Sequence, residues 1–222
     1  MSVDAVLIAG PTASGKSEAA LALAERIGGA LINTDSMQVY REARVLTARP
    51  DGAALARAPH FLFGHVSVNE PYSAARYQAD AIAALNRVRA SGKIPIFVGG
   101  TGLYFAALTD GLADVPPVPE SVRERVRSRR QEVGAERFFD ELAARNPLSV
   151  GHLRASDTQR VLRAAEVLES TGRVLSDWQK NRGGTPLSGL SLIRFVLSPP
   201  RPELHRRIEQ RFDRMKIGRA HV

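Results

Sequence analysis

The sequence predicts an α/β fold: a parallel sheet flanked by helices, with an inserted all-helical subdomain. Three observations carry this. Short apolar runs alternate with helical periodicity through the first half of the chain. A glycine-rich loop joins the first apolar run to the first helix. After the Pro-rich stretch Asp114-Val115-Pro116-Pro117-Val118-Pro119 the chain reads as helix after helix, until one more apolar run returns. The expected domains are 1–114 for the α/β core, 115–189 for the helical insertion and 190–215 for the return to the core.

Each element has its own reason. Val6-Leu7-Ile8-Ala9 is an apolar run ending in Gly10-Pro11, a buried strand. Lys16 to Ile27 places Leu21, Ala24 and Ile27 at helical spacing, and Gly28-Gly29 stops it. Ala30 to Asp35 reads as a second strand and Phe61 to Val68 as a third. Ser73 to Ala90 is a long helix, Ile94 to Val98 a buried strand, and Thr101 to Leu108 a short helix. In the insertion, helices are expected over Ser121–Val133, Ala135–Arg145 and Asp157–Thr171. Leu190–Leu197 is strand-like, and Glu203–Met215 closes the pattern as a helix. Trp178 and Tyr104 read as core residues rather than platforms for bases.

Composition narrows the class. The 222 residues are 44% hydrophobic and 24% charged, which excludes a disordered chain. Cysteine is absent, so a disulfide framework, a thiolate metal site and a cysteine nucleophile are excluded. No apolar run reaches membrane-spanning length, and the N-terminus lacks a basic region ahead of its apolar stretch. The expectation is a soluble, cytoplasmic monomer. The net charge of +8 is unevenly placed. Residues 1–120 hold 10 Lys+Arg against 11 Asp+Glu, and the remainder holds 21 against 12. A basic half suggests a polyanionic partner; solvated arginine-rich helices are the plainer alternative.

Gly10-Pro11-Thr12-Ala13-Ser14-Gly15-Lys16-Ser17 matches G-x-x-x-x-G-K-[ST] between a strand and a helix. Such a loop turns backbone N–H groups inward onto phosphate oxygens, and the helix N-terminus adds positive potential. Lys16 brings a full charge, and the Ser17 hydroxyl is a ligand for phosphate-bound Mg²⁺. The fold expectation sharpens to a P-loop NTPase-like sheet.

What the loop holds stays open on spacing alone. The run ending at Val98 leads into Gly99-Gly100-Thr101 rather than the metal-supporting Asp of an NTPase. Asp35, at the end of the second strand, reads equally as metal ligand, general base or cap. Thr101 offers a hydroxyl to a ligand or an N-cap to the following helix.

Several segments in order resemble the tRNA dimethylallyltransferases (tRNA isopentenyltransferases). They are the phosphate loop, Asp35-Ser36-Met37-Gln38-Val39-Tyr40, Thr47-Ala48-Arg49-Pro50, Pro59-His60 and Tyr72-Ser73-Ala74. Val98-Gly99-Gly100-Thr101-Gly102-Leu103-Tyr104, Asp157-Thr158-Gln159-Arg160 and Ile208-Glu209-Gln210-Arg211-Phe212 complete the set. The resemblance implies transfer of the dimethylallyl group of dimethylallyl diphosphate onto N6 of adenine 37, beside the anticodon of a tRNA. The phosphate loop then grips the prenyl diphosphate, with Mg²⁺ at Ser17. Asp35 takes the proton of the adenine amine, Arg211 reaches the diphosphate, and Thr101 lies near its bridging oxygen. The adenine is flipped out of its stack, at a cost of a few kcal/mol.

The same resemblance places the tRNA anticodon stem-loop on Asp35, Ser36, Met37, Gln38, Thr101, Arg123, Gln159, Arg160, Val161, Leu162 and Arg163. Gln159, Arg160 and Arg163 can share one helix face. A competing local reading makes Ser156-x-x-Gln159 a capping box that occupies Gln159 with the backbone.

The resemblance stops at about Met215, where family members continue. Residues 216–222 are expected to be a non-native tail, with the last helix exposing Ile208 and Phe212. Two alternatives stand beside the transferase: a small P-loop nucleoside or metabolite kinase, and an RNA-binding fragment without turnover.

Overall fold

Five parallel strands run in the order β3-β2-β4-β1-β5 in the computed structural model, which describes residues 3–180 and 182–219. They are β1 (Ala5–Ala9), β2 (Gly29–Asn33), β3 (His60–Phe61), β4 (Ile94–Gly99) and β5 (Leu192–Val196). Every pairing is parallel, as helical crossovers require. The three inner strands are almost continuously apolar because helices cover both faces.

Those helices are α1 (Lys16–Ile27), α2 (Gly52–Arg57), α3 (Ala74–Ala90) and α4 (Gly102–Thr109). One core gathers Ile32, Phe97, Tyr77, Leu85, Val88 and Leu108 on the α3/α4 side. Another gathers Ile8, Leu21, Leu31, Ile96 and Val98 under α1. Tyr77 and Tyr104 stack with centroids 3.7 Å apart, so Tyr104 is core, as expected. Burial pushes the Tyr104 hydroxyl up to about 12.

The chain divides into two compact units. One holds residues 1–109 and 185–222, the other 110–184. The second unit comprises α5 (Glu120–Val133), α6 (Ala135–Arg145), a 3₁₀ turn at Pro147–Ser149, α7 (Thr158–Thr171) and α8 (Leu175–Lys180). Its core is Val122, Val126, Phe138, Leu142, Val161 and Val167. Both unit boundaries fall five residues before the expected 115 and 189. The Gly183 amide donates to the Leu112 carbonyl and Ala113 bridges Arg182, so the segments on either side of the insertion close on each other inside it. Trp178 packs on this core with the Arg173 guanidinium 4.4 Å over its ring.

Three local expectations change. The expected third strand, 61–68, shortens to His60–Phe61, because Leu62 at φ 64° and Gly64 at φ 58° turn the chain. Helices α2 and α8 are additions. The capping box does not form: Asp157 is the N-cap, which places Gln159 one position too early to reach back.

After β5 the chain enters α9 (Arg201–Arg219). Ile208 and Phe212 on this helix are exposed, as are Ile193, Phe195 and Val196 on the edge strand β5. The expected tail begins inside α9, and its residues 220–222 lie outside the described residues.

Candidate active site

The functional side chains sit where the parallel strands end. The loop Gly10–Ser17 leaves β1, Asp35 follows β2, and Gly99-Gly100-Thr101 follows β4. Ligands of open parallel sheets bind along this carboxyl edge.

The phosphate loop is tightly made. Ala13 and Gly15 both have positive φ, at 63° and 90°. Gly15 needs no side chain there, whereas Ala13 carries strain of the kind that collects at ligand clamps. The Ser14 amide donates to the Pro11 carbonyl. The Ser14 hydroxyl is buried with no hydrogen-bond partner among the described residues. A side chain at Gly10 would press on Ser14 Oγ and the Leu197 carbonyl, so only glycine fits.

Lys16 is buried, and its ammonium donates to the Pro11 carbonyl at 3.2 Å. Burial lowers its pKa; Asp35 opposes this and Arg211 adds to it. Those causes place Lys16, Asp35 and Arg211 in one electrostatic environment. All three line a cleft of about 770 Å³ with Thr12, Ser17 and Gln38. Arg211 comes from α9, and its guanidinium donates to the Leu46 carbonyl at 3.3 Å. Of the residues expected to bind diphosphate, Thr12, Ala13, Gly15, Lys16 and Ser17 line the cleft, whereas Gly10, Pro11 and Ser14 do not.

Asp35 is held from three directions. Its amide donates to Asn33 Oδ1, and Asn33 Nδ2 donates to its carbonyl and to that of Leu62. One carboxylate oxygen accepts from the Met37 amide at 2.9 Å. Asp35 therefore caps a local turn and faces the cleft at once; the two readings are compatible. Gly99 explains the closeness of β4: any side chain on it would strike the Thr34 carbonyl.

Thr101 does not wall the cleft with Lys16. Its hydroxyl accepts from the Ser36 amide at 2.9 Å and donates to Ser36 Oγ at 3.2 Å. Its carbonyl, not its side chain, starts α4. Met37 is exposed, and Gln38 donates to the Thr47 carbonyl, which pins the segment 44–49 beside the cleft.

Two further residues border this site without a role legible in the sequence. Arg207, one turn before Arg211, donates to the Ala13 carbonyl at 3.4 Å and pairs with Glu203. The i, i+4 spacing of two arginines on the last helix is the signal that finds it. His60 lines a small annex of about 90 Å³ that also borders Asp35 and Lys16. His60 Nδ1 lies 2.7 Å from the Ala58 carbonyl, and burial lowers its pKa.

In the helical unit, Gln159, Arg160 and Arg163 share one pocket at the start of α7. Arg160 and Arg163 make only loose ion pairs, to Asp157 at 3.5 Å and Glu166 at 3.8 Å. Val161 is buried in the core and Leu162 packs against it, so the side chains of these two expected RNA contacts serve the fold. Arg123 stands apart on α5, paired with Glu120. Its neighbours Arg125, Arg127 and Arg129 are also ion-paired. The arginines of α5 are thus tied up in short ion pairs, whereas those of α7 are held more loosely.

The family model described as IPP transferase matches residues 38–217. The tRNA dimethylallyltransferase of Rhizobium meliloti (strain 1021) is 48% identical over 213 residues, which are 96% of this chain and 70% of that protein. That of Nitrobacter hamburgensis (strain DSM 10229 / NCIMB 13809 / X14) is 52% identical over 218 residues, 98% and 68% respectively. Among solved structures, a eukaryotic dimethylallyltransferase acting on tRNA superposes with a TM-score of 0.78 at 28% identity, covering 96% of this chain and 53% of that one. The full-length tRNA isopentenylpyrophosphate transferase of Bacillus halodurans gives 0.62 at 30% identity, covering 98% and 67%. On these matches, and on a phosphate loop facing a carboxylate across one cleft, the chain belongs to the IPP transferase family, with tRNA dimethylallyltransferases as its relatives.

Proposed function

We propose that this chain transfers the dimethylallyl group of dimethylallyl diphosphate to N6 of adenine 37 in the anticodon loop of a tRNA. The observation that carries the reading is the single cleft shared by the phosphate loop, Asp35 and Arg211. It puts a diphosphate cradle and a carboxylate on one small volume, as a transfer from a diphosphate ester to an amine needs. The kinase reading is not favoured, since the relatives are prenyltransferases.

The chemistry follows from the residues. A bond forms between adenine N6 and C1 of the prenyl group, and the C1–O bond breaks. Its electron pair leaves with diphosphate. Lys16, Arg211 and the loop amides stabilise the charge that gathers there. The N6 proton passes to Asp35, which the Met37 amide holds in place. Thr101 positions this turn through Ser36.

The donor set also fits Mg²⁺. The Ser17 hydroxyl is a hard oxygen donor on the cleft wall, and no cluster of three His, Cys, Asp or Glu that could hold a metal exists among the described residues. A magnesium ion completed by diphosphate oxygens suits such a sparse site. Ser17 would hold it, and its charge would further neutralise the leaving group. RNA contact is assigned to Ser36, Met37 and Gln38 in the first unit and to Gln159, Arg160 and Arg163 in the second.

The test is incubation of the protein with dimethylallyl diphosphate, Mg²⁺ and an unmodified anticodon stem-loop carrying adenine 37. Mass spectrometry of the RNA is expected to show one prenylated adenine. ATP hydrolysis without any need for the prenyl donor would reverse the reading in favour of the kinase.

A further inference from the structure

Asp35 stands between Thr34 and Ser36, and each neighbour is held by a hydroxyl from another element. Thr101, after β4, holds Ser36. On the other side the Tyr77 hydroxyl, from α3, donates to Thr34 Oγ1 at 3.1 Å. Tyr77 and Thr34 are both 0% exposed, so bulk water cannot replace that bond.

Packing does not account for the Tyr77 hydroxyl. The ring lies in an apolar core with Ala81, Leu85, Val88 and Phe97. A phenylalanine would fill the same space with no polar group to desolvate. Burial pushes the Tyr77 pKa up, so the hydroxyl stays a neutral donor. Its desolvation is offset at Thr34, its one hydrogen-bond partner among the described residues.

The two holders are themselves joined. The Tyr77 ring stacks on that of Tyr104, with centroids 3.7 Å apart and planes 6° from parallel. Tyr104 lies one turn beyond Thr101, and its amide donates to the Thr101 carbonyl at 3.0 Å. The side chain of Gln78, next to Tyr77, donates to the Ala107 carbonyl and ties α3 to α4 once more. The contacts therefore run from Thr34 to Tyr77, Tyr104, Thr101 and Ser36, and Asp35 lies between the two ends of that chain. Thr34 is also bonded through its main chain to Val98 and Thr101, so the contribution of Tyr77 is graded rather than all-or-none.

We propose that Tyr77 is a positioning residue for the transfer: stacked on Tyr104 and bonded to Thr34, it fixes the strand end from which Asp35 reaches the adenine amine. Tyr77 does not line the cleft and acts only through Thr34. The inference rests on the reading of Asp35 as the base.

The experiment measures steady-state prenyl transfer by the full chain to the anticodon stem-loop. Tyr77→Phe keeps the ring and the stack and removes only the hydroxyl. It is expected to lower kcat roughly threefold to tenfold with KM for both substrates within about twofold, as a small misplacement of a catalytic group does. Thr34→Val, which removes the acceptor at nearly constant shape, is expected to match it. Thr34→Ser, which keeps the hydroxyl, is expected to stay near wild type. In the Asp35→Asn background Tyr77→Phe is expected to change kcat no further, because no base is left to position. Melting curves accompany the kinetics. A merely structural hydroxyl would lower the melting temperature of Tyr77→Phe and leave kcat as in wild type, and that outcome overturns the proposal. So does a Tyr77→Phe loss that persists in full beside Asp35→Asn. A wild type without transfer, or an Asp35→Asn enzyme that turns over like wild type, rejects the reading beneath the proposal. The expected Asp35→Asn loss with an unchanged Tyr77→Phe rejects the role of Tyr77 alone.

Discussion

The Ser36 amide donates to Thr101 Oγ1 at 2.9 Å, joining the residue after Asp35 to the end of β4. The hydroxyl returns a bond to Ser36 Oγ at 3.2 Å, and the Thr101 amide donates to the Thr34 carbonyl. The turn that presents the Asp35 carboxylate is therefore built from two strand ends rather than one. Thr101→Ala is expected to lower kcat by about tenfold to a hundredfold, as misplacement of a catalytic group does. Thr101→Ser keeps the hydroxyl and is expected to stay within about threefold of wild type. Steady-state kinetics on both variants check the contrast; equal losses would leave the hydroxyl without a positioning role.

Asp35 itself separates binding from turnover. Its carboxylate faces the cleft, whereas the proposed diphosphate contacts lie on the loop, Lys16 and Arg211. Asp35→Asn retains an acceptor for the Met37 amide but cannot take a proton. Its turnover is expected to fall by about 10²–10⁴, the usual contribution of general base catalysis. Calorimetry is expected to show dimethylallyl diphosphate binding little changed.

Much of this site is legible in the sequence, and the reasons are local. The phosphate loop depends on residues within one short segment, Gly10 to Ser17, and a strand–loop–helix context. The strand ends at Asp35 and Gly99 are marked by apolar runs that stop. What is not legible depends on distant contacts. Nothing near Gly64 in sequence announces that the Arg49 guanidinium occupies the space where its side chain would be. That contact and the left-handed Leu62 cut β3 to two residues. Helix α2 is short and has no buried residue, so it carries no periodicity to read. Val161 and Leu162 lie in the same run as Gln159, Arg160 and Arg163, but helix periodicity turns them inward, away from those three.

Arg207 and Arg211 divide the work of α9. Arg211 lines the cleft, while Arg207 holds the carbonyl of the strained Ala13 and is itself steadied by Glu203. Arg211→Ala is expected to weaken dimethylallyl diphosphate binding about tenfold to a hundredfold, the loss of one charge-assisted contact at about 1.5–3 kcal/mol. Arg207→Ala is expected to cost less, about threefold to tenfold, because it acts through the loop. Glu203→Gln is expected to reproduce part of the Arg207 loss while leaving Arg211 intact. Isothermal titration of the three variants checks the order; an Arg207 loss exceeding that of Arg211 would reverse the assignment.

His60 supplies a pH signature of the fold. It is half-buried beside the cleft, packs edge-on against Phe63 at 5.3 Å, and lies 2.7 Å from the Ala58 carbonyl. A carbonyl only accepts, so Nδ1 carries a hydrogen. Desolvation by burial lowers the pKa below the ordinary 6.5, and the Ala58 contact only partly opposes it. Between the lowered folded value and 6.5, the unfolded chain binds more protons at this residue than the folded one. Stability from this group is therefore complete above about pH 7 and is lost as pH falls through that window. His60→Gln keeps a donor for the Ala58 carbonyl and removes the titration. Urea unfolding midpoints from pH 7.5 down to 5 are expected to fall more steeply for wild type than for His60→Gln, and parallel curves would exclude His60 as the source.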